Sequence, residues 1–217
     1  MVLPSESRRA VFERLRASMG AGALPAPDRW PTGIAVLDAA LGGGLRRGSL
    51  VLVGGVPGSG RWSLIAALLR TVTASAWAAI LDDGSLYPPG LVRAGVRLER
   101  LVVVPSRGGR GDAGAVETLL QSGAFGVIVV PAAAALPWRR LERRASCTRT
   151  LVVAAGEPHD TEIVAVAATR LRCTTERPRT VGLGRWLRTI AGYTVRIRIE
   201  RDRAAPPTCS CTVEVEV

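Results

Sequence analysis

The chain has 217 residues and a formal net charge of +11, and none of its 29 basic residues is a lysine. A hydrophobic share of 47% against 22% charged residues excludes a disordered chain, and the length suits one domain with a buried core and a small appendage. No apolar run reaches the roughly 18 residues of a membrane-spanning helix, and Arg8, Arg9, Arg14 and Arg16 precede no apolar block of the secretory kind, so a soluble, cytoplasmic protein is expected.

Residues 1–29 form an expected N-terminal helical arm and linker, and residues 30–217 the core domain. Ser5 or Ser7 can cap a helix running to about Ser18, with Val11, Phe12, Leu15 and Met19 on one stripe. Gly20 and Gly22 end it, and Pro25 and Pro27 stiffen the linker. Such an arm either folds onto its own domain or packs on a partner.

From residue 30 the pattern alternates. Apolar runs at 50–53, 78–81, 101–104, 127–130 and 151–154 read as buried strands, with helices expected over 60–75, 116–121 and 136–146. Continuous apolar strands interleaved with helices predict an α/β fold with a mostly parallel central sheet flanked by helices. The C-terminal third changes character: residues 195–199 and 209–217 alternate strictly, which predicts an antiparallel hairpin with Val195, Ile197, Ile199 and Val213, Val215, Val217 facing the core. Its outer faces carry Arg196 and Arg198 on one strand and Glu214 and Glu216 on the other, candidates for cross-strand charge pairs. Cys147, Cys173, Cys209 and Cys211 lack metal-ligand spacing, even with the lone His159, so they are expected to be small core residues and no metal site is expected.

The most informative segment is GVPGSGRWS from Gly55 to Ser63, between a strand and a helix. A phosphate-binding loop has the form G-x-x-x-x-G-K-[ST] in that context, its glycines letting backbone N–H groups wrap the phosphates. Gly55, Gly58, Ser59 and Gly60 keep the cradle. Arg61 stands where the lysine belongs and Trp62 where the Mg²⁺-binding hydroxyl belongs, while Ser63 lies one position late, about 100° around the helix. A guanidinium is a planar fork and not a compact point charge, and an indole cannot ligate magnesium.

The run PTGIAVLDAALGGGL from Pro31 to Leu45, the loop, and FGVIVVPAAAAL from Phe125 to Leu136 together resemble the core of the RecA recombinases. That resemblance implies a RecA-like fold across residues 30–217, including the closing hairpin. It also places Pro131 where the family has its magnesium-holding aspartate and Gly84 where the catalytic glutamate lies, although Asp82 and Asp83 are close by. GC-rich codons account for arginine replacing lysine generally, but not for Trp62, Pro131 or Gly84. Phosphoryl transfer depends on positioning and charge neutralisation, so the chain is expected to be a pseudo-ATPase needing no cofactor, with ATP binding without hydrolysis left open.

The segment from Ala154 to Asp160 is too short for the second DNA-contacting loop that the resemblance implies. Arginines nevertheless cluster twice. Arg139, Arg140, Arg143, Arg144 and Arg149 face only Glu142 in sequence, with helical spacing forming a ridge beside Trp138, and six arginines from Arg170 to Arg188, including Arg185, face only Glu176. Such clusters suit DNA phosphates or an acidic partner surface, or simply a solvated face.

Within the RecA superfamily, the short core with altered motifs is similar to the ImuA family, also described as SulA-like. This implies a non-catalytic accessory role in DNA damage-induced translesion synthesis, the SOS mutagenesis branch of DNA repair. The implied partners are an ImuB-like inactive Y-family polymerase, RecA and an error-prone C-family DNA polymerase, with DNA a further candidate and no membrane. The resemblance also implies that the arm, through Phe12, Leu15 and Met19, docks on a RecA-like neighbour. The alternatives are a nucleotide-binding RecA paralogue acting in recombination and a SulA-like cell-division inhibitor.

Overall fold

The computed structural model describes residues 28–183, 187–203 and 210–216. The expected arm, with Phe12, Leu15 and Met19, therefore lies outside the described residues, as do Arg185 and Cys209.

A two-stranded antiparallel ribbon, β1 (Arg29–Trp30) and β2 (Leu45–Arg46), flanks the short helix α1 (Ala35–Ala40). Asp38 holds this entry together, its carboxylate accepting from the Thr32 amide and hydroxyl, both at 2.7 Å. Trp30 donates its indole N–H to the carbonyl of Gly126 at 3.2 Å, and the Arg47 guanidinium lies over its ring at 4.3 Å.

The main sheet has eight strands in the order β10-β9-β8-β3-β7-β6-β4-β5. Its parallel part comprises β3 (Leu50–Gly54), β4 (Trp77–Asp82), β5 (Leu101–Pro105), β6 (Phe125–Pro131) and β7 (Leu151–Ala155), joined by crossover helices. β3, β4, β6 and β7 are buried because alternate residues face different layers of helices, whereas β5, read as buried from its apolar run, is the sheet's edge strand and leaves Val103 exposed. Val51, Val53, Ile80, Val129 and Val153 pack towards α2 (Arg61–Thr73), whose Leu64, Leu68, Leu69 and Val72 form the matching stripe. Leu50, Leu52, Leu81, Ile128 and Val152 face the opposite layer, formed by α4 (Arg110–Ser122), α5 (Trp138–Thr148) and α6 (Thr161–Val166), with α3 (Pro88–Arg93) lying between β4 and β5 in sequence. The α/β architecture read from the apolar runs is thus the architecture observed.

Several expectations are refined. The helix foreseen over 116–121 begins earlier, at Arg110. Buried Asp112 in its first turn accepts from the Ser106 hydroxyl at 2.6 Å and the Arg107 amide at 2.9 Å, fixing the glycine-rich approach. The antiparallel region has three strands: β8 (Thr169–Leu183), β9 (Leu187–Asp202) and β10 (Ser210–Glu216), with β8 running parallel to β3 and antiparallel to β9. Val195, Ile197 and Ile199 are buried as expected.

The cross-strand charge pairs are not direct. Register places Thr212 opposite Arg196 and Ser210 opposite Arg198, while Glu214 and Glu216 face Thr194 and Gly192. Arg196 instead forms an ion pair with Glu176 on β8. Cys173 is buried, as a small core residue should be, but Cys147 is exposed, because it lies on the outer face of α5 away from Leu141 and Ala145.

Candidate functional site: the glycine-rich loop and its cleft

The loop of residues 55–60 joins β3 to α2 at the carboxyl ends of the parallel strands, the usual place for a ligand in an open α/β sheet. Gly58 and Gly60 both have positive φ, at 82° and 84°. Gly60 also lies against β9, where a Cβ would stand 2.4 Å from Val195 Cγ2. Thr175 of β8 donates its hydroxyl to the Gly58 carbonyl at 2.5 Å. Ser59 is buried, its Oγ unpartnered and close to Gly55. The antiparallel strands therefore brace the loop from behind.

Arg61 turns back over this loop. Its Nη1 donates to the Gly55 carbonyl at 2.5 Å, and a Cβ built on Gly156 at the end of β7 would lie 3.9 Å from the guanidinium. The side chain thus crosses the mouth of the cradle. Trp62 packs half-buried against the core, with its indole N–H enclosed and unpartnered. Trp62, Asp83, Ser85 and Pro131 border a small gap beside the loop.

The other positions singled out converge here to different degrees. Pro131 ends β6, buried, opposite Ala155, and borders the same gap. Gly84 is exposed with φ 90° and open space where a Cβ would be. Its amide donates to Asp82 Oδ1 at 3.0 Å, as does that of Leu86, so Asp82 is spent on shaping this turn. Asp83 accepts from the Ser85 amide at 3.1 Å and borders the gap.

Beyond the loop lies a feature that the sequence reading missed: a cleft of about 920 Å³ between α2, α3 and the strands β8 and β9. Ser63, the late hydroxyl, lines this cleft and not the gap. The available signal was the pair Pro88-Pro89, which suits the first turn of a helix and marks the start of α3.

The arginine clusters look different once folded. The α5 ridge was expected to face only Glu142, but packing brings glutamates from its neighbours. Arg139 pairs with Glu162 of α6 at 3.2 Å, and Arg140 with Glu117 of α4 at 2.9 Å. Glu142 itself is 3.8 Å from Arg203, and Arg149 is bound by Asp28, which also holds Arg47 at 3.0 Å. Arg143 and Arg144 form no ion pair among the described residues, and Trp138 is fully buried beneath the ridge. Of the second cluster, Arg170 and Arg172 lie on β8. Arg172 lies between Glu200 at 2.5 Å and Glu157 at 3.1 Å. The hydrogen bond to Glu200 raises its pKa above the ordinary arginine value against a smaller opposing effect of burial. Arg188 occupies β9 opposite Gly182.

The loop at the strand ends, the parallel sheet and the braced antiparallel strands define a RecA-type α/β core. The sequence model described as the MT3502 N-terminal domain matches residues 38–161, and the chain belongs to that family. Protein RecA of Acidothermus cellulolyticus is 37% identical over 112 residues, covering 50% of this chain and 32% of that protein. Protein RecA of Synechocystis sp. is 36% identical over 107 residues, covering 48% and 30%. The chain thus spans less than a third of the length of these curated relatives. The crystal structure of the RadB recombinase superposes with a TM-score of 0.69 at 17% identity, covering 85% of this chain and 95% of that one, a likeness of fold. Among the described residues, no helix is long and apolar enough to cross a membrane.

Proposed function

We propose that the chain is a non-catalytic, RecA-like accessory protein of the ImuA type, acting in DNA damage-induced translesion synthesis by binding an ImuB-like inactive Y-family polymerase, RecA or an error-prone C-family polymerase. The observation that supports the non-catalytic reading is that Trp62 and Pro131, neither able to ligate magnesium, border the same gap beside the loop. Arg61 supports it by spending a guanidinium N–H on the loop's own Gly55 carbonyl. The relatedness to RecA supports a place in DNA repair, and a role played through surfaces needs no metal ligands.

The test combines two measurements on the full chain. Incubation with Mg²⁺-ATP should release no phosphate above background, and biolayer interferometry against purified ImuB, RecA and the C-family polymerase should detect at least one association. Magnesium-dependent turnover would overturn the non-catalytic reading, and failure to bind any of the three would overturn the accessory role. A recombination paralogue that binds nucleotide is the second reading, favoured by the positive-φ glycines Gly58 and Gly60 that preserve the cradle.

A further inference from the structure

The cleft of about 920 Å³ has Gly58, Gly60 and Arg61 of the loop at its inner end and extends well beyond them. Its floor is apolar and made of small residues: Ala66 and Ala67 on α2, Gly90 and Ala94 on and just after α3, with Leu91 and Val195 beneath. Trp62, Tyr87 and Tyr193 line its walls, and Tyr87 is 70% exposed. Two further arginines besides Arg61 line it, Arg70 and Arg93, both exposed and neither in an ion pair with any described residue. Among the described residues, no aspartate or glutamate lines it.

Each element of this composition narrows the occupant. Small residues on two helices let a third backbone approach closely, as in recognition of a helix in a groove. Exposed aromatic side chains over an aliphatic floor accept apolar anchors. Arginines without carboxylate neighbours favour a negatively charged guest, and the chain's net charge of +11 steers one in from a distance. A nucleic acid would meet a floor with few side-chain groups able to hydrogen-bond base edges, whereas an apolar helix face needs none.

We propose that this cleft is a docking groove for an acidic amphipathic helix of a partner protein, its apolar face on the alanine floor and its carboxylates on Arg70 and Arg93. The proposal rests on the non-catalytic reading in one respect, since its inner end is the Arg61–Trp62 segment that a nucleotide would otherwise claim.

The probe is a displayed library of random 12-residue peptides, selected on the full chain at 0.15 M salt. Enriched peptides are then labelled and titrated by fluorescence anisotropy. They should combine acidic residues with apolar residues at helical spacing. Arg70→Glu combined with Arg93→Glu should weaken them at least tenfold, as should Tyr87→Ala, while Arg46→Glu, at the opposite end of the strands, leaves them unchanged. All these side chains are exposed, and a thermal melt of each variant verifies that it folds. The proposal is overturned if no acidic peptide is enriched, or if the enriched peptides ignore the groove variants. It is equally overturned if labelled oligo(dT) binds, is lost with the same variants and is not displaced by the peptides. Hydrolysis of Mg²⁺-ATP with peptide binding retained would sink the non-catalytic reading alone.

Discussion

The Arg61 guanidinium donates to the carbonyl oxygen of Gly55 at 2.5 Å, so the first charged residue of α2 closes the loop that precedes it. A lysine reaching outward for phosphate presents its charge to a ligand. Here one N–H of the guanidinium is spent on the loop's own carbonyl, and the neighbouring Trp62 packs against the core.

This arrangement makes the loop's chemistry restorable in principle. The triple variant Arg61→Lys, Trp62→Thr, Pro131→Asp should gain magnesium-dependent ATP binding, with affinity at least tenfold tighter with Mg²⁺ than without it. The parent chain should show no such difference by isothermal titration calorimetry. Replacing half-buried Trp62 removes packing and should itself destabilise the fold by about 2–3 kcal/mol, somewhat below the range for a fully buried aromatic.

The two loop glycines should respond unequally to a methyl group. Gly58→Ala meets no atom within 4 Å and carries only the strain of a left-handed backbone, about 1–2 kcal/mol. Gly60→Ala carries the same strain and also drives a Cβ to 2.4 Å from Val195, adding about 1–3 kcal/mol. Urea unfolding of both variants measures the difference, and equal losses would contradict the close packing of the loop on β9.

The ridge on α5 should behave as a weak, partly neutralised DNA contact. With Arg139 and Arg140 held by Glu162 and Glu117, about two of its arginines remain to displace counterions, giving a salt slope near −2 in gel shifts with duplex DNA. Reversing Arg143 and Arg144 should then weaken the shift more than reversing Arg139 and Arg140. A slope near −4 would mean that the exposed ion pairs open to phosphate.

Deleting residues 1–27 should abolish association with RecA while leaving the melting curve of the core in place. The described core begins at Asp28, whose carboxylate pairs with Arg47 and Arg149 and is retained by this truncation. Unchanged association would rule out the arm as the RecA-binding element.

The parallel strands were legible because each is a continuous apolar run, and the loop because its glycine spacing is distinctive. The role of β8 was not. Leu171 and Cys173 point inward between outward Arg172 and Thr174, a period of two that is short and interrupted by the charges of the arginine cluster. The short α3 went unseen behind Pro88-Pro89, and with it the cleft. Neutralisation of the α5 ridge was beyond reach for a different reason. Glu117 and Glu162 are distant in sequence, and only the packing of three helices on one face of the sheet brings them to the arginines.

The hydrogen bond from Thr175 to Gly58 spans 117 positions of sequence. The loop is complete by residue 60, but its braces at Thr175 and Val195 are made much later as the chain is synthesised. A nascent chain therefore carries the loop without these braces until β8 and β9 are made, and contacts of such separation are slow to close. Strands made more than a hundred residues after the loop are the ones that set its shape.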